Sequence, residues 1–383
     1  MSTDQGERFV GVLTSGGDAS GMNAALRAVV RAGLARGVQI CGIHEGFRGI
    51  IDGGDKIRTL SWSDVGGIIH RGGTILGSTR SVRFRTRDGR RKAALNLLVH
   101  GIDSLIVIGG DGSLAGAELF RQEWPVLLQE LVASGAVAPN LAERYPRLTI
   151  VGLVGSIDND AYGTDMTIGA DTALHRITEA IDAISSTASS HRRTFVVEVM
   201  GRHCGYLALM GAMATGADWV LIPEAPSPSD DWAAEMVEAL KAGRAAGRRD
   251  AIVVLAEGAT DRHGTPITRD RLREILSRGL GESARVTVLG HVQRGGAPSA
   301  FDRNLGTQMG YAAIETLLSG AADHESQVVG MRGNRVIRIP LGECVSKTQA
   351  INASLESHDY GQALEMRGNG FNTALRTFST LLR

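Results

Sequence analysis

The sequence predicts an α/β protein of two lobes with mainly parallel, Rossmann-like sheets. Three observations carry this: short apolar runs that end in or beside glycine and open into a polar cluster, helical patterns between those runs, and a length of 383 residues, more than one core usually serves. Phe9 to Leu13 runs into TSGGD, Ser104 to Ile108 into GGDGS, Val151 to Val154 into GSIDND, Phe195 to Val199 into MGRHCG, Ala251 to Ala256 into Glu257, and Val286 to Leu289 into GHVQRGG. In open parallel sheets such loops lie at the carboxyl ends of the strands, where these folds hold their ligands. The polar clusters are therefore expected to converge on one cleft.

In chain order, Phe9 to Leu13 is a buried strand, and TSGGDASG leads into a helix from Met22 to Leu34. Free amides at that helix start suit an anion, although a simple strand-to-helix turn fits equally well. Val38 to Ile43 is a second strand. Gly66 to Ser81 is a glycine-rich loop ending on Arg80, an arginine that either reaches a phosphate or stands solvated. The basic run Arg83 to Lys92 is expected to be an exposed face, because it lacks interleaved aromatics for stacking bases.

Ser104 to Ile108 feeds GGDGSLAGA, in which Gly110, Gly112 and Ala115 loosely match the dinucleotide pattern G-x-G-x-x-A. Asp111 argues against a dinucleotide, since a carboxylate against a pyrophosphate is tolerable only with a divalent cation between them. It points to Mg²⁺ with a nucleoside triphosphate. The chain has no GxxxxGK[ST] motif, so a phosphotransferase here lies outside the P-loop class. Gln122 to Arg147 reads as helix and loop.

Within VGLVGSIDND the chain presents Ser156, Asp158, Asn159 and Asp160 in five residues. Alone, that cluster also fits a surface turn. A helical pattern spans Met166 to Ile184, and SSTASSHRR brings His191, Arg192 and Arg193 to the next strand. MGRHCGY follows that strand, with Gly201 and Gly205 flanking Arg202 and His203. Trp219 to Ile222 is a strand closing on Pro223 and Glu224, APSPSDDW a surface loop, and a helix starts near Ala233. Arg285 opens the strand that leads to His291, Gln293 and Arg294. The helix from Arg303 to Leu318 and the tail beyond Val328 show no chemistry, and helical stretches near Thr348 and Leu364 are expected to serve packing or an interface.

Lys plus Arg and Asp plus Glu balance at 41 each, so no net field recruits nucleic acid or an acidic membrane. Cys41, Cys204 and Cys344 form an odd set without metal-ligand spacing, as expected of free thiols in a reducing compartment. MSTDQGERFV lacks the features of a signal peptide, and no apolar run is long enough to span a bilayer. These features together lead to the expectation of a soluble cytoplasmic protein.

Glycine backbones with an acid suit a metal-bound polyphosphate, and separated arginines suit a smaller phosphorylated substrate held by forked hydrogen bonds. Glu257 suits sugar hydroxyls. Phosphoryl transfer needs in-line positioning, charge neutralisation and a carboxylate to take the attacking hydroxyl's proton, for which Asp158 is the natural choice.

The ordered set TSGGDASGMNAALR, RGGTILGSTR, IGGDGS, GSIDNDAYGTDMTIG, SSHRRTFVVEVMGRHCGYLAL and LGHVQRGG resembles 6-phosphofructokinase from Phe9 to Leu318. The segment Gln122 to Arg147 and the wording GSIDND and ADW look more like one half of the duplicated eukaryotic enzyme than the shorter bacterial chain.

The resemblance implies the phosphofructokinase fold, with an ATP-binding lobe of residues 1–169 plus about 292–342. A fructose 6-phosphate lobe would take 170–291 plus about 343–383. It implies that Gly17, Arg80, Ser81, Gly110, Gly112 and Ser113 line the ATP site, with Asp111 on Mg²⁺. Asp158 would be the base for the sugar's 1-hydroxyl, with Ser156, Ile157 and Asp160 beside it and Arg202 on the charge that develops. Met200, Gly201, Glu257, His291, Val292, Gln293 and Arg294 would hold the sugar, and Arg193 and Arg285 its 6-phosphate. In the family those two arginines come from a neighbouring subunit, so the implied state is a homodimer or homotetramer with shared sugar sites.

Pyrophosphate-using relatives carry an acid where this chain has Gly112 and a lysine where it has Gly155, so the two glycines favour ATP. Three other readings are set against this one: a pyrophosphate-dependent enzyme, a kinase of the diacylglycerol or NAD kinase type sharing the GGDG turn, and a non-catalytic regulatory subunit. The second would need neither the IDND loop nor the MGR turn. The third would be expected to lose Asp158 or Arg202.

Overall fold

The computed structural model describes residues 8–322 and 325–382. The chain begins with β1 (Phe9–Ser15), α1 (Met22–Ala35), β2 (Gln39–Ile43), α2 (Phe47–Asp52), β3 (Ile57–Thr59), α3 (Arg87–Val99), β4 (Ile102–Gly109), α4 (Asp111–Ala133), α5 (Pro139–Arg144) and β5 (Thr149–Val154). It continues through α6 (Ala170–His191), β6 (Thr194–Val199), α7 (Tyr206–Thr215), β7 (Trp219–Leu221), α8 (Trp232–Ala245), β8 (Ala251–Ala256), α9 (Arg269–Leu280) and β9 (Arg285–Val288). It ends with α10 (Ala300–Leu318), β10 (Gln327–Arg332), β11 (Arg335–Pro340), α11 (Leu341–Glu356), α12 (Tyr360–Arg367) and α13 (Asn369–Leu381).

The chain divides into two compact units, one of Met1–Ser156, Gly163–Gly169 and Arg294–Ser346, the other of Ile157–Tyr162, Ala170–Gln293 and Lys347–Arg383. The first holds a seven-stranded sheet in the order β11-β10-β5-β4-β1-β2-β3. Its five central strands run parallel, and only the edge strands β3 and β11 pair antiparallel. β1, β4 and β5 are almost wholly buried, which is why they read as unbroken apolar runs rather than alternating ones. On one side α1 meets α10 closely, because Gly306 and Gly310 face the Gly21 and Ala25 carbonyls where a Cβ would collide. Elsewhere Phe47, Phe84, Phe120 and Trp124 form an aromatic chain, with successive ring centroids 4.1, 5.4 and 5.6 Å apart. Trp124 belongs to the Gln122 to Arg147 segment, which is thereby the continuation of α4 into this core plus the short α5.

Two features of this unit depart from the sequence reading. The tail beyond Val328 contributes a β-hairpin rather than helix alone: Gly333 and Asn334 (φ 51° and 61°) form its two-residue turn, and β10 joins the sheet parallel to β5. The basic run Arg83 to Lys92 is not wholly an exposed face. Arg90 is buried, with its guanidinium forked onto Glu123 at 2.6 and 2.9 Å and donating to the Phe84 and Arg85 carbonyls. A carboxylate in the next helix and two carbonyls of its own loop make that burial tolerable.

The second unit is built on a four-stranded all-parallel sheet, β7-β8-β6-β9. Val196, Val253 and Leu255 from the sheet pack with Trp232, Met236 and Leu240 of α8 and Leu272 and Leu276 of α9. A smaller cluster joins the C-terminal helices, through Ile351, Leu355 and Ala363, to Tyr162. α6 runs through to His191, so that much of SSTASSHRR is helix rather than connector. Among the described residues no helix is long and apolar enough to cross a membrane, and all three cysteines are free and buried.

Candidate functional site

In the first unit β5, β4 and β1 are adjacent and parallel, so their carboxyl-terminal loops lie side by side. Gly16 turns with φ 88°, and a Cβ there would stand 3.0 Å from Ser113 Oγ. A Cβ on Gly110 would lie 3.8 Å from the Gly155 carbonyl oxygen and from Ser156 Cβ. A Cβ on Gly17 would meet Arg294 Nη1 at 2.6 Å, and that same nitrogen donates to the Asp18 carbonyl at 3.3 Å. The structure thus brings Gly17, Gly110, Ser113, Ser156 and Arg294 together. Arg294, expected with the sugar, stands against the glycine turn of β1.

α4 begins at Asp111 with no side-chain cap, and the Asp111 carboxylate accepts the Gly112 N–H. Main-chain N–H groups at such a helix start suit an anion, and one carboxylate stands beside them. The two glycines read as donor-selecting differ in surroundings. Gly112 has nothing within 4 Å of where a Cβ would be, whereas at Gly155 a Cβ would meet Met22 Cε at 2.6 Å. A side chain at Gly155 would therefore need the tip of Met22, on α1, to shift.

The glycine-rich loop ending on Arg80 is fastened to the same strand end. Thr14 Oγ1 lies 2.8 Å from Thr74 Oγ1 and donates to the Gly77 carbonyl at 2.9 Å, and Asn23 Oδ1 accepts the Ile75 N–H at 2.8 Å. Arg80 is exposed. The Ser81 hydroxyl accepts the Phe84 N–H at 3.2 Å, capping the turn that follows. Thr14 and Asn23 were missed in the sequence; their signal is polarity at positions of a strand and a helix that are otherwise apolar, and both are buried.

In the second unit β6 lies between β8 and β9, so the loops after these strands meet. Glu257 Oε1 accepts the N–H of Gly201 at 3.3 Å and of Arg202 at 2.9 Å, and Gln293 Oε1 accepts the Met200 N–H at 3.2 Å. His291 and Val292 are exposed on the one-turn helix that ends at Gln293. Met200, Gly201, Arg202, Glu257, His291, Val292 and Gln293 are thus gathered at one end of the sheet. Arg193 and Arg285 are not. They stand at the amino ends of β6 and β9, a strand length away, about 20 Å along the six residues of β6 and about 13 Å along the four of β9.

The segment 157–162 belongs to this unit and carries the buried Ile157 and Asp158. The Asn159 carbonyl faces Cys204 Sγ at 3.8 Å, and the Asp160 carbonyl accepts from Arg367 Nη1 at 3.0 Å. Burial pushes the Cys204 thiol well above its ordinary pKa, which keeps it protonated. Asn159 (φ 51°) and Arg202 (φ 50°) are both in the left-handed region, which asparagine tolerates but which costs about 1–3 kcal/mol for a residue such as arginine and then persists where the surroundings hold it. Glu257 holds the Arg202 amide, and Arg367 holds the carbonyls of Asp160 and His203, just beyond Asn159 and Arg202. Arg367 pairs with Glu224 at 2.9 Å, and neither residue was singled out as functional in the sequence.

The chain matches the family Phosphofructokinase over residues 9–317. It is 53% identical over 374 residues to the mouse liver-type ATP-dependent 6-phosphofructokinase, covering 98% of this chain and 48% of the mouse protein. Phosphofructokinase from Saccharomyces cerevisiae superimposes with a TM-score of 0.95 at 47% identity, covering 98% of this chain and 50% of the yeast chain. A pyrophosphate-dependent phosphofructokinase from Marinobacter aquaeolei, at 21% identity and a TM-score of 0.70 over 88% of this chain and 83% of its own, shares the fold. The chain spans about half the length of the curated relatives it matches.

Proposed function

The chain belongs to the phosphofructokinase family, and we propose that it transfers the terminal phosphoryl group of MgATP to the 1-hydroxyl of fructose 6-phosphate. The products would be fructose 1,6-bisphosphate and ADP, a committed step of glycolysis, in the cytoplasm. The observation that carries this reading is the sorting of groups. Glycine turns and a helix start with Asp111 gather on one parallel sheet, and Arg202, Glu257 and Gln293 gather at the loop end of the other.

In this reading Gly17, Arg80, Ser81, Gly110, Gly112 and Ser113 receive the nucleotide. Among the described residues no cluster of three His, Cys, Asp or Glu exists, and a lone carboxylate beside a polyphosphate cradle suits Mg²⁺, which Asp111 would hold and which would neutralise phosphate charge. Asp158 accepts the proton of the 1-hydroxyl, flanked by Ser156 and Asp160, and Arg202 offsets the charge that builds up. Met200, Gly201, Glu257, His291, Val292, Gln293 and Arg294 position the sugar.

Arg193 and Arg285 then act in the site of another copy of the chain. Their place at the amino ends of β6 and β9 supports this, because it removes them from the loops of their own sheet. A homodimer or homotetramer follows. Pyrophosphate as donor is the second reading, and the open space at Gly112 disfavours it. Purified chain with fructose 6-phosphate and Mg²⁺ decides between donors: bisphosphate should form with ATP and not with pyrophosphate, and the opposite result overturns the assignment.

A further inference from the structure

The C-terminal segment showed no chemistry in the sequence, yet it reaches both loops to which the proposed reaction assigns its key groups. Arg367, the last residue of α12, has a buried side chain and spends its guanidinium on three acceptors: Glu224 Oε1 at 2.9 Å, the Asp160 carbonyl at 3.0 Å and the His203 carbonyl at 2.9 Å. One carbonyl lies two residues beyond Asp158 and the other one residue beyond Arg202. Glu224, wholly buried, accepts the Gly205 N–H on its two oxygens at 3.0 and 2.9 Å, so the pair also holds the start of α7. A second tie comes from the same segment, since the Tyr162 N–H donates to Thr348 Oγ1 at 3.0 Å and Lys347 lies over the Tyr162 ring.

These ties fall at unusual main chain in both loops, and the Arg202 loop has the greater need of support. Each carries a non-glycine residue in the left-handed region, Asn159 and Arg202, immediately before a residue whose carbonyl Arg367 holds. A planar fork with donors in fixed directions can hold two carbonyls in one relative geometry; an ammonium on a flexible stem cannot.

We propose that Arg367 is a positioning residue for phosphoryl transfer, fixing the main chain beside Asp158 to the main chain beside Arg202, so that residues 347–367 form part of the catalytic apparatus. This rests on the roles assigned above to Asp158 and Arg202.

The test uses the full chain with Arg367→Lys, which keeps a cation opposite Glu224 but loses the fork, and Arg367→Gln combined with Glu224→Gln, which removes both buried charges. Each is assayed with fructose 6-phosphate and MgATP and followed by hydrogen–deuterium exchange. The expected result is kcat lower by about ten- to a hundredfold, the scale of a small misplacement of reacting groups, with the KM for ATP within about threefold. Exchange should quicken in peptides spanning 157–162 and 200–206 and stay unchanged across 251–256. A folded variant with kcat within about twofold of the parent, or with exchange raised uniformly, overturns the proposal. If one variant does not fold, the other carries the test; if neither folds, Arg367 is a folding element and the positioning role is rejected. A parent chain inactive with both substrates would refute the functional reading instead, and the exchange pattern would then decide the clamp alone.

Discussion

Glu257 and Arg202 are joined through main chain rather than as an ion pair: Glu257 Oε1 accepts the Arg202 N–H at 2.9 Å, and that of Gly201 at 3.3 Å. The carboxylate thereby sets where the arginine side chain starts from. Hydrogen bonds to a charged group contribute about 1.5–3 kcal/mol. Glu257→Ala should therefore lower kcat/KM for fructose 6-phosphate by roughly ten- to a hundredfold, leaving the KM for ATP near that of the parent. Steady-state kinetics with each substrate varied in turn checks this, and an effect confined to ATP would contradict it.

Asp158→Asn preserves shape and removes basicity. Its turnover should fall by about two to four orders of magnitude while fructose 6-phosphate still binds. Calorimetric titration of the sugar phosphate alongside the rate assay separates the two effects, and lost affinity with turnover intact would remove Asp158 from the role of base.

The two glycines at the proposed nucleotide side should respond differently. Gly112→Asp meets no neighbour, so the fold should keep its stability while ATP use is impaired by the added charge. Gly155→Ala crowds Met22 and should cost about 1–3 kcal/mol of stability, the usual range for overpacking. Urea unfolding and ATP titration of both variants check the contrast.

Hydrogen bonds from Arg90 hold the Glu123 carboxyl below its ordinary pKa of 4.5, against the opposing effect of its own burial. A carboxyl depressed in the folded state contributes stability that is fully present above its unfolded value. That stability is lost as pH falls through the folded value. Glu123→Gln should therefore flatten the acid limb of the stability curve below about pH 4.5 and lower stability at neutral pH by about 1–3 kcal/mol. Denaturant midpoints across pH 3–7 provide the measurement; an unchanged acid limb would refute it.

The proposed sharing of sugar sites between copies predicts complementation. Asp158→Asn and Arg285→Ala chains, each impaired alone, should recover part of the activity when refolded together, because some mixed interfaces join an intact Asp158 to an intact Arg285. Activity no greater than the sum of the separate variants would place Arg285 outside a shared site.

The strands β1, β2 and β4 to β9, the glycine turns and the cluster from Ser156 to Asp160 were legible in the sequence because each is written in neighbouring residues. An apolar run of strand length followed by glycine and polar side chains specifies a loop at a sheet's carboxyl end without reference to anything distant. The Gly333–Asn334 hairpin was legible too, in its turn pair, but the tail was read for helix.

Other features belong to the folded chain. Arg90 looked like one more surface arginine until Glu123, in the next helix, supplied a partner that makes its burial affordable. Gly155 was read for donor space alone, and the fold also sets Met22 of α1 beside it. Glu224 and Arg367 are 143 residues apart, and nothing local to either one marks it. Local pattern can say which residues enter a buried sheet and which leave it. Which buried charge meets which is settled by the packing of distant segments, because a desolvated charge is stable only where the fold brings its counterpart within hydrogen-bond reach.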